Sequence, residues 1–265
     1  MADHKLQQKT IVITGASGGI GSQMALLAAS LGAVPILVAR SVDKLQALSA
    51  DIYEQYRIEA DYYALDVSDV EAVSRTFAEI QANHPPIDVL INNAGFGVFD
   101  HFHEARMDDV KKMIDVNVVG LMACTREIMP QMMDRRQGHI INVASVAGKL
   151  ATPKSIVYSS SKHAVLGFSN GLRMELDGTG IHVTTVNPGP IRTNFFNIAD
   201  PDGVYLKNVN RFLLEPDQVA KAVMAAIRKP RREVNLPKYM NIGTTLYNLV
   251  PGLIEKTAGK LFKMK

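Results

Sequence analysis

Cysteine is nearly absent from this 265-residue chain: Cys124 is the single one, so no disulfide can form within it. No stretch of 18 or more uninterrupted apolar residues occurs either, which argues against a spanning helix. Residues Met1 to Thr10 carry charges and no apolar run, so no secretory signal is expected and the chain reads as cytoplasmic. An excess of one charge sign is also missing. The net charge is only +3 and 47% of residues are hydrophobic, which excludes intrinsic disorder and allows a sizeable core. Linkers, low-complexity segments and short repeats are absent, leaving one domain over 1–265. His101-Phe102-His103 offers two metal ligands without a third or fourth, so no metal site is expected. Nothing resembles the fold or the aromatic-basic surface pattern of a nucleic-acid binder.

Short apolar runs alternate with helical periodicity from the start. Ile11-Val12-Ile13, Val34 to Ala39, Tyr62 to Leu65, Val89-Leu90-Ile91, Ile140 to Val143, His182 to Val186 and Val234 to Leu236 read as seven strands. Between them lie helical patterns, including a long one from about Met107 to Arg136 and another from about Ser155 to Asp177. Pro216 suits the first turn of a helix continuing through Ile227. Repeated strand–helix–strand units with apolar strands imply an α/β fold: a single doubly wound, Rossmann-type domain whose parallel sheet of about seven strands has helices on both faces.

The polar and glycine-rich motifs fall where these strands end. The first strand runs into Thr14-Gly15-Ala16-Ser17-Gly18-Gly19-Ile20-Gly21 and then a helix. Glycines there let the backbone approach a pyrophosphate at a helix N-terminus, although such turns also occur without a ligand. Asp66-Val67 closes the third strand and Asn92-Asn93-Ala94-Gly95 the fourth. Ser145 follows the fifth, Tyr158-Ser159-Ser160-Ser161-Lys162 opens the next helix, and Pro188-Gly189-Pro190-Ile191-Arg192-Thr193 follows the sixth. Open α/β sheets bind ligands at these carboxyl ends.

In identity, order and spacing these motifs resemble those of the short-chain dehydrogenase/reductase family, over about residues 7 to 240. The resemblance implies an oxidoreductase in which Tyr158 is the general acid of carbonyl reduction. Ser145 would hydrogen-bond the substrate oxygen, Lys162 would hold the nicotinamide ribose, and Asn117 would anchor a water in a proton relay. Tyr158 and Lys162, four residues apart, share a helix face. A phenol titrates near 10, and the Lys162 ammonium or an oxidised nicotinamide would lower that. Outside such a setting Tyr158 would be a half-buried helix tyrosine, Lys162 its solvated neighbour, and Asn117 a side chain bonding backbone.

The resemblance further implies that Gly15, Ser17, Gly19, Ile20 and Gly21 cradle the cofactor, that Asp66 and Val67 face the adenine, and that Asn93, Ala94 and Gly95 support its ribose. Pro188, Gly189 and Thr193 would meet the nicotinamide. An acid ending the second strand would repel a 2′-phosphate, but the chain reads Ala39-Arg40-Ser41 there. Arg40 can pair with that phosphate, Ser17 and Ser41 can add donors, and the expected cofactor is NADP(H). Arg40 capping a solvated loop is the alternative. Two further alternatives remain: an NAD-linked alcohol or hydroxysteroid-type dehydrogenase, and a non-catalytic NADP-binding regulator.

Residues 194–214 fall where the family places a substrate lid, and Phe195, Phe196, Tyr205, Phe212 and Leu213 suggest an apolar wall for a ketone or aldehyde (or the alcohol in reverse). Packing of that segment onto the body would use the same residues. Six of twelve methionines lie between Met107 and Met133, suiting either core packing or the interface of a homodimer or homotetramer. In 241–265, Leu246, Leu249, Val250, Leu253, Ile254, Leu261 and Phe262 recur at helical spacing beside Lys256, Lys260, Lys263 and Lys265. This basic amphipathic stretch suits an anionic membrane surface. Pro251-Gly252 interrupts it, and covering the cleft or a neighbouring subunit is the favoured role.

Overall fold

The computed structural model describes residues 6–252 and 254–256. Leu253, Lys260, Leu261, Phe262, Lys263 and Lys265 of the amphipathic stretch lie outside the described residues. The β-branched run at residues 11–13 forms the middle of β1 (Thr10–Thr14), all five residues of which are buried. Successive side chains of a strand point to opposite faces. Accordingly Ile11 and Ile13 enter one core layer with α1 (Gly19–Ser30), while Val12 enters the other. β2 (Val34–Ala39) divides in the same way, Leu37 to the first layer and Ile36 and Val38 to the second.

The chain continues through α2 (Val42–Tyr56), β3 (Tyr62–Ala64), α3 (Val70–Asn83), β4 (Val89–Asn92) and α4 (Met107–Ile114). Asp69 caps α3 by accepting from the Ala72 N–H at 2.9 Å, one of the four donors a helix start leaves open. A π-helical turn, Asp115–Gly120, joins α4 to α5 (Leu121–Arg135), so the single long helix expected from about Met107 to Arg136 is widened in its middle. Such turns shift side chains out of the regular helical register. Here the shifted stretch contains Asn117.

β5 (Gly138–Val143), α6 (Ile156–Glu175) and β6 (Ile181–Pro188) follow, then the short α7 (Phe196–Ala199) and α8 (Val204–Val209). α9 (Pro216–Arg228) begins with Pro216 at its first turn and a reciprocal Glu215/Gln218 capping box. β7 (Glu233–Leu236) and α10 (Lys238–Leu249) end the described elements. The seven strands form one parallel sheet in the order β3-β2-β1-β4-β5-β6-β7. The order reverses beside β1, so the ends of β1 and β4 diverge and open a crevice between them.

Candidate active site

The crevice is one continuous cavity of about 1040 Å³, running from the glycine turn after β1 to the lid and α10. Of the expected apolar wall Leu213 does not line it, and of the expected catalytic and cofactor residues all but Gly21 and Asn117 do. Those two act from behind the wall.

At the first end, Gly15 has φ +67°, and a Cβ there would lie 2.9 Å from the Ala94 Cα. A Cβ on Gly21 would lie 2.2 Å from the Gly15 carbonyl oxygen, so Gly21 is what lets α1 press against the turn. The motifs after β1 and β4 are bonded into one unit. The Thr14 hydroxyl oxygen accepts from the Asn93 and Ala94 N–H groups, each at 3.0 Å. The Asn93 amide in turn donates to the Thr14 and Gly15 carbonyls at 3.0 and 3.2 Å. Asn93 thus holds the turn rigid as well as lining the cavity.

α1 starts without a side-chain cap and with no acid in its first turn, while Gly18, Gly19 and Ile20 border the cavity. Its open N–H groups and positive dipole end therefore fit an anionic pyrophosphate. Arg40 stands at the mouth with Nη1 3.7 Å from Asp66 Oδ2, a loose pair with the guanidinium 64% exposed. Burial works to raise the Asp66 carboxyl, but the Ser68 hydroxyl and N–H, together with the Arg40 and Lys112 charges, hold it below the usual range. Lys44, in the first turn of α2, also lines this end. Sequence reasoning missed it, though its position four residues after Arg40 was a usable signal.

In the middle, α6 places Tyr158 in its first turn and Lys162 one turn later, with the Lys162 Nζ 5.8 Å from the Tyr158 ring centroid. The phenol ring is enclosed by Phe99 and Phe195, at 5.9 and 5.5 Å between centroids. Burial pushes its pKa up to about 12, against the opposing hydrogen bond from Ser145. Burial brings Lys162 down to about 8, and one of its three donors is spent on the Val143 carbonyl at 2.9 Å. The Ser145 oxygen accepts from the Ala147 N–H at 3.0 Å, and its hydroxyl lies between the Tyr158 phenol and a long 3.4 Å contact with the Pro188 carbonyl.

Asn117 is completely buried. Its carboxamide accepts from the Phe96 N–H at 3.0 Å and donates to the Phe96 carbonyl at 2.9 Å and to Ser161 at 3.0 Å. It therefore clamps the strand-end loop of β4 to α6, and both amide protons are committed to that task. The amide thus bonds both the Phe96 backbone and the Ser161 side chain.

At the far end, residues 194–214 leave and return at one point, where Ile191 and Leu214 form a parallel bridge. The Leu214 N–H donates to the Pro190 carbonyl and the Arg192 N–H to the Leu214 carbonyl, both at 2.9 Å. Phe99 sits at the centre of the wall, against Phe195, Phe196 and Tyr205 at 6.2, 6.5 and 5.4 Å. Tyr239, Met240, Thr244 and Leu246 of α10 complete it. The described part of the 241–265 stretch thus contributes Gly243, Thr244, Leu246 and Ile254 to the cavity wall. Among the described residues, the charged side chains lining the cavity are Arg40, Lys44, Asp66 and Lys162, so the lid end carries none. No group of three His, Cys, Asp or Glu suited to a metal occurs among the described residues. Nor is any described helix long and apolar enough to cross a membrane.

Residues 9–202 match the sequence model of the short-chain dehydrogenases. The chain belongs to the short-chain dehydrogenase family. A dehydrogenase/reductase SDR family member 7B from Danio rerio is 32% identical, with 86% of this chain and 77% of that protein covered. An NADP-dependent 3-hydroxy acid dehydrogenase from Schizosaccharomyces pombe is 34% identical, over 85% and 89%. Among solved structures, the alcohol dehydrogenase of Thermococcus sibiricus complexed with 5-hydroxy-NADP superposes with a TM-score of 0.77 at 26% identity, covering 87% of this chain and 95% of that one. A family member from Burkholderia phymatum in complex with NAD gives 0.86 at 24% identity, covering 94% and 96%, a likeness of fold. This short-chain dehydrogenase is therefore an oxidoreductase.

Proposed function

We propose that this oxidoreductase uses NADP(H) to reduce a ketone or aldehyde of apolar character to an alcohol. The observation that carries the reading is the single cavity that joins a phosphate-accepting turn and Arg40 at one end to Ser145, Tyr158 and Lys162 in the middle. Gly18, Gly19 and Ile20 would hold the pyrophosphate at the start of α1, and Arg40 with Lys44, Ser17 and Ser41 the 2′-phosphate. Asp66 and Val67 would face the adenine, Asn93 to Gly95 the adenosine ribose, Lys162 the second ribose, and Pro188, Gly189 and Thr193 the nicotinamide. Relatives whose names specify NADP favour this choice. Bound NADPH would supply a hydride to the carbonyl carbon.

Tyr158 then gives its proton to the carbonyl oxygen. A phenol raised to about 12 by burial is fully protonated at neutral pH and ready to donate. The Ser145 hydroxyl, whose oxygen is fixed by Ala147, turns its proton from the distant Pro188 carbonyl to the same substrate oxygen. Lys162 keeps two donors for ribose hydroxyls, and its ammonium favours the phenolate left behind. With the Asn117 amide committed, a relay water would depend on its main-chain carbonyl. Among the described residues no cation lines the lid end of the cavity to meet a carboxylate, so an uncharged carbonyl fits it better than a hydroxy acid.

The test is NADPH and NADH oxidation against a panel of aldehydes, ketones and diketones, with Tyr158→Phe as control. Turnover with NADPH that vanishes in the variant supports acid, cofactor and reaction class together. Tight NADPH binding with no turnover on any carbonyl would favour a nucleotide-binding regulator. We also infer self-association through the helical stretch from α4 to α5, along which Met107, Val119 and Met133 stand exposed. A monomer in light scattering at micromolar concentration would refute it.

A further inference from the structure

Four large apolar side chains both line the cavity and face solvent: Ile198 at 57% and Phe212 at 38% exposure from the lid, and Tyr239 at 56% and Leu246 at 53% from α10. They make the rim of the cavity mouth. On α10 the stripe continues outward through Ile242 and Leu249, the most exposed apolar residues of that helix at 72% and 73%. Spacings of three, four and three along 239, 242, 246 and 249 put these residues on one helix face. An exposed apolar surface of this kind marks a place where something docks.

Charge says what docks. The chain from 228 onward holds nine Lys and Arg against Glu233 and Glu255, whereas the rest is net acidic. Arg228 to Arg232 precede β7 and so sit one strand length, about 13 Å, away from the cavity end of the sheet. The rim segments themselves expose Lys207, Arg211, Lys238 and Lys256 against Asp202 and Glu255. Beyond Lys256 the sequence adds Lys260, Lys263 and Lys265 with Leu261 and Phe262, and no acid. A second copy meeting this face across a twofold axis would bring the same cations together. A protein partner would also plug the mouth.

We propose that this face docks on an anionic lipid surface, with the apolar rim against the headgroup–acyl boundary, and that the cavity takes an amphiphilic carbonyl compound with a long apolar chain from the lipid. Docking stands independently of the reaction proposed above; the substrate part rests on it. The uncharged lid end gives the chain an apolar route inward, and the rim removes the need to carry it through water.

The full chain is sedimented with phosphatidylcholine vesicles, with and without about 30% phosphatidylglycerol, at low and high salt. Binding should be at least about tenfold stronger on the anionic vesicles and should weaken with salt. The double variant Ile242→Asp/Leu249→Asp should lose about tenfold in binding while melting where the parent melts, because both side chains are exposed and neither lines the cavity. Failure of the parent to bind anionic vesicles at low salt overturns docking. So does a variant that still binds, or one whose only change is a lower mass in light scattering, which would give the face to a second copy. A long-chain ketone embedded in anionic vesicles should be reduced faster by the parent than by the variant, with equal rates on a water-soluble ketone. Equal rates on both overturn the substrate part alone.

Discussion

The two ends of the cavity are built on opposite principles. At the β1 end the wall is backbone: a glycine turn, the start of α1, and two strand-end motifs bonded by Thr14 and Asn93. Side chains there mostly hold other backbone in place. At the lid end the wall is side chain, a group of aromatic rings and α10 residues. The first end can accept one chemical object, a dinucleotide with its phosphates. The second accepts bulk of the right polarity, and its shape changes with each substitution. Ser145, Tyr158 and Lys162 lie on the border between the two ends.

The sharpest test of that border is Tyr158→Phe. It should cost about a thousandfold in kcat/KM, the scale of a lost general acid, while leaving the Kd for NADPH near its original value. A parallel loss of cofactor affinity would mean that the two ends are not separable. Next, Arg40→Ala should weaken NADPH by about 1.5–3 kcal/mol and NADH hardly at all, as read by titrating each cofactor. Equal affinities that the variant leaves unchanged would take the 2′-phosphate away from this corner. Gly21→Ala would push a methyl into the Gly15 carbonyl, and a loss of about 2 kcal/mol in unfolding free energy is expected, together with weaker NADPH binding.

A pH experiment separates the charges from the rings. Lys162 titrates near 8 in the folded chain and at its ordinary 10.5 when unfolded. The unfolded state therefore binds more protons between those values, and this residue adds stability as pH rises through that window. Denaturant unfolding from pH 8 to 10 should show a rise that is flattened in Lys162→Met. The smallest effect belongs to the lid: Phe195→Ala should raise KM for an apolar ketone about fivefold, near 1 kcal/mol, without altering NADPH affinity. An unchanged KM would mean that Phe195 only packs the lid to the body.

Much of the β1 end is legible in the sequence, because its chemistry depends on local rules. Strand, turn and helix follow from periodicity and glycine placement within about twenty residues, and so Gly15 and Arg40 can be placed at strand ends, whereas the Tyr158/Lys162 pair stands out only through the resemblance that the whole set of motifs carries. Gly21 is expected from the resemblance to cradle the cofactor, whereas in the structure it lies behind the cavity wall and lets α1 approach the Gly15 carbonyl. Asn117 shows the limit more clearly. Its segment reads as ordinary amphipathic helix, yet it forms the π-helical turn that carries the amide to Phe96 and Ser161, on two other elements.

By itself the sequence determined the parallel sheet and the order of the strand-end motifs, since these follow from short-range pattern, and the resemblance those motifs carry singled out Tyr158 and Lys162 as the candidate acid and its neighbouring ammonium. Only the tertiary structure decided that Phe99 and α10 wall the substrate end, that Lys44 joins Arg40, and that the apolar residues after β7 ring the mouth of the cavity. Those facts depend on the fold bringing segments up to about 150 residues apart around one cavity, such as those of Phe99 and Leu246. The hydrophobic effect that drives them is non-directional: it says that such residues are removed from water, not which neighbour removes them.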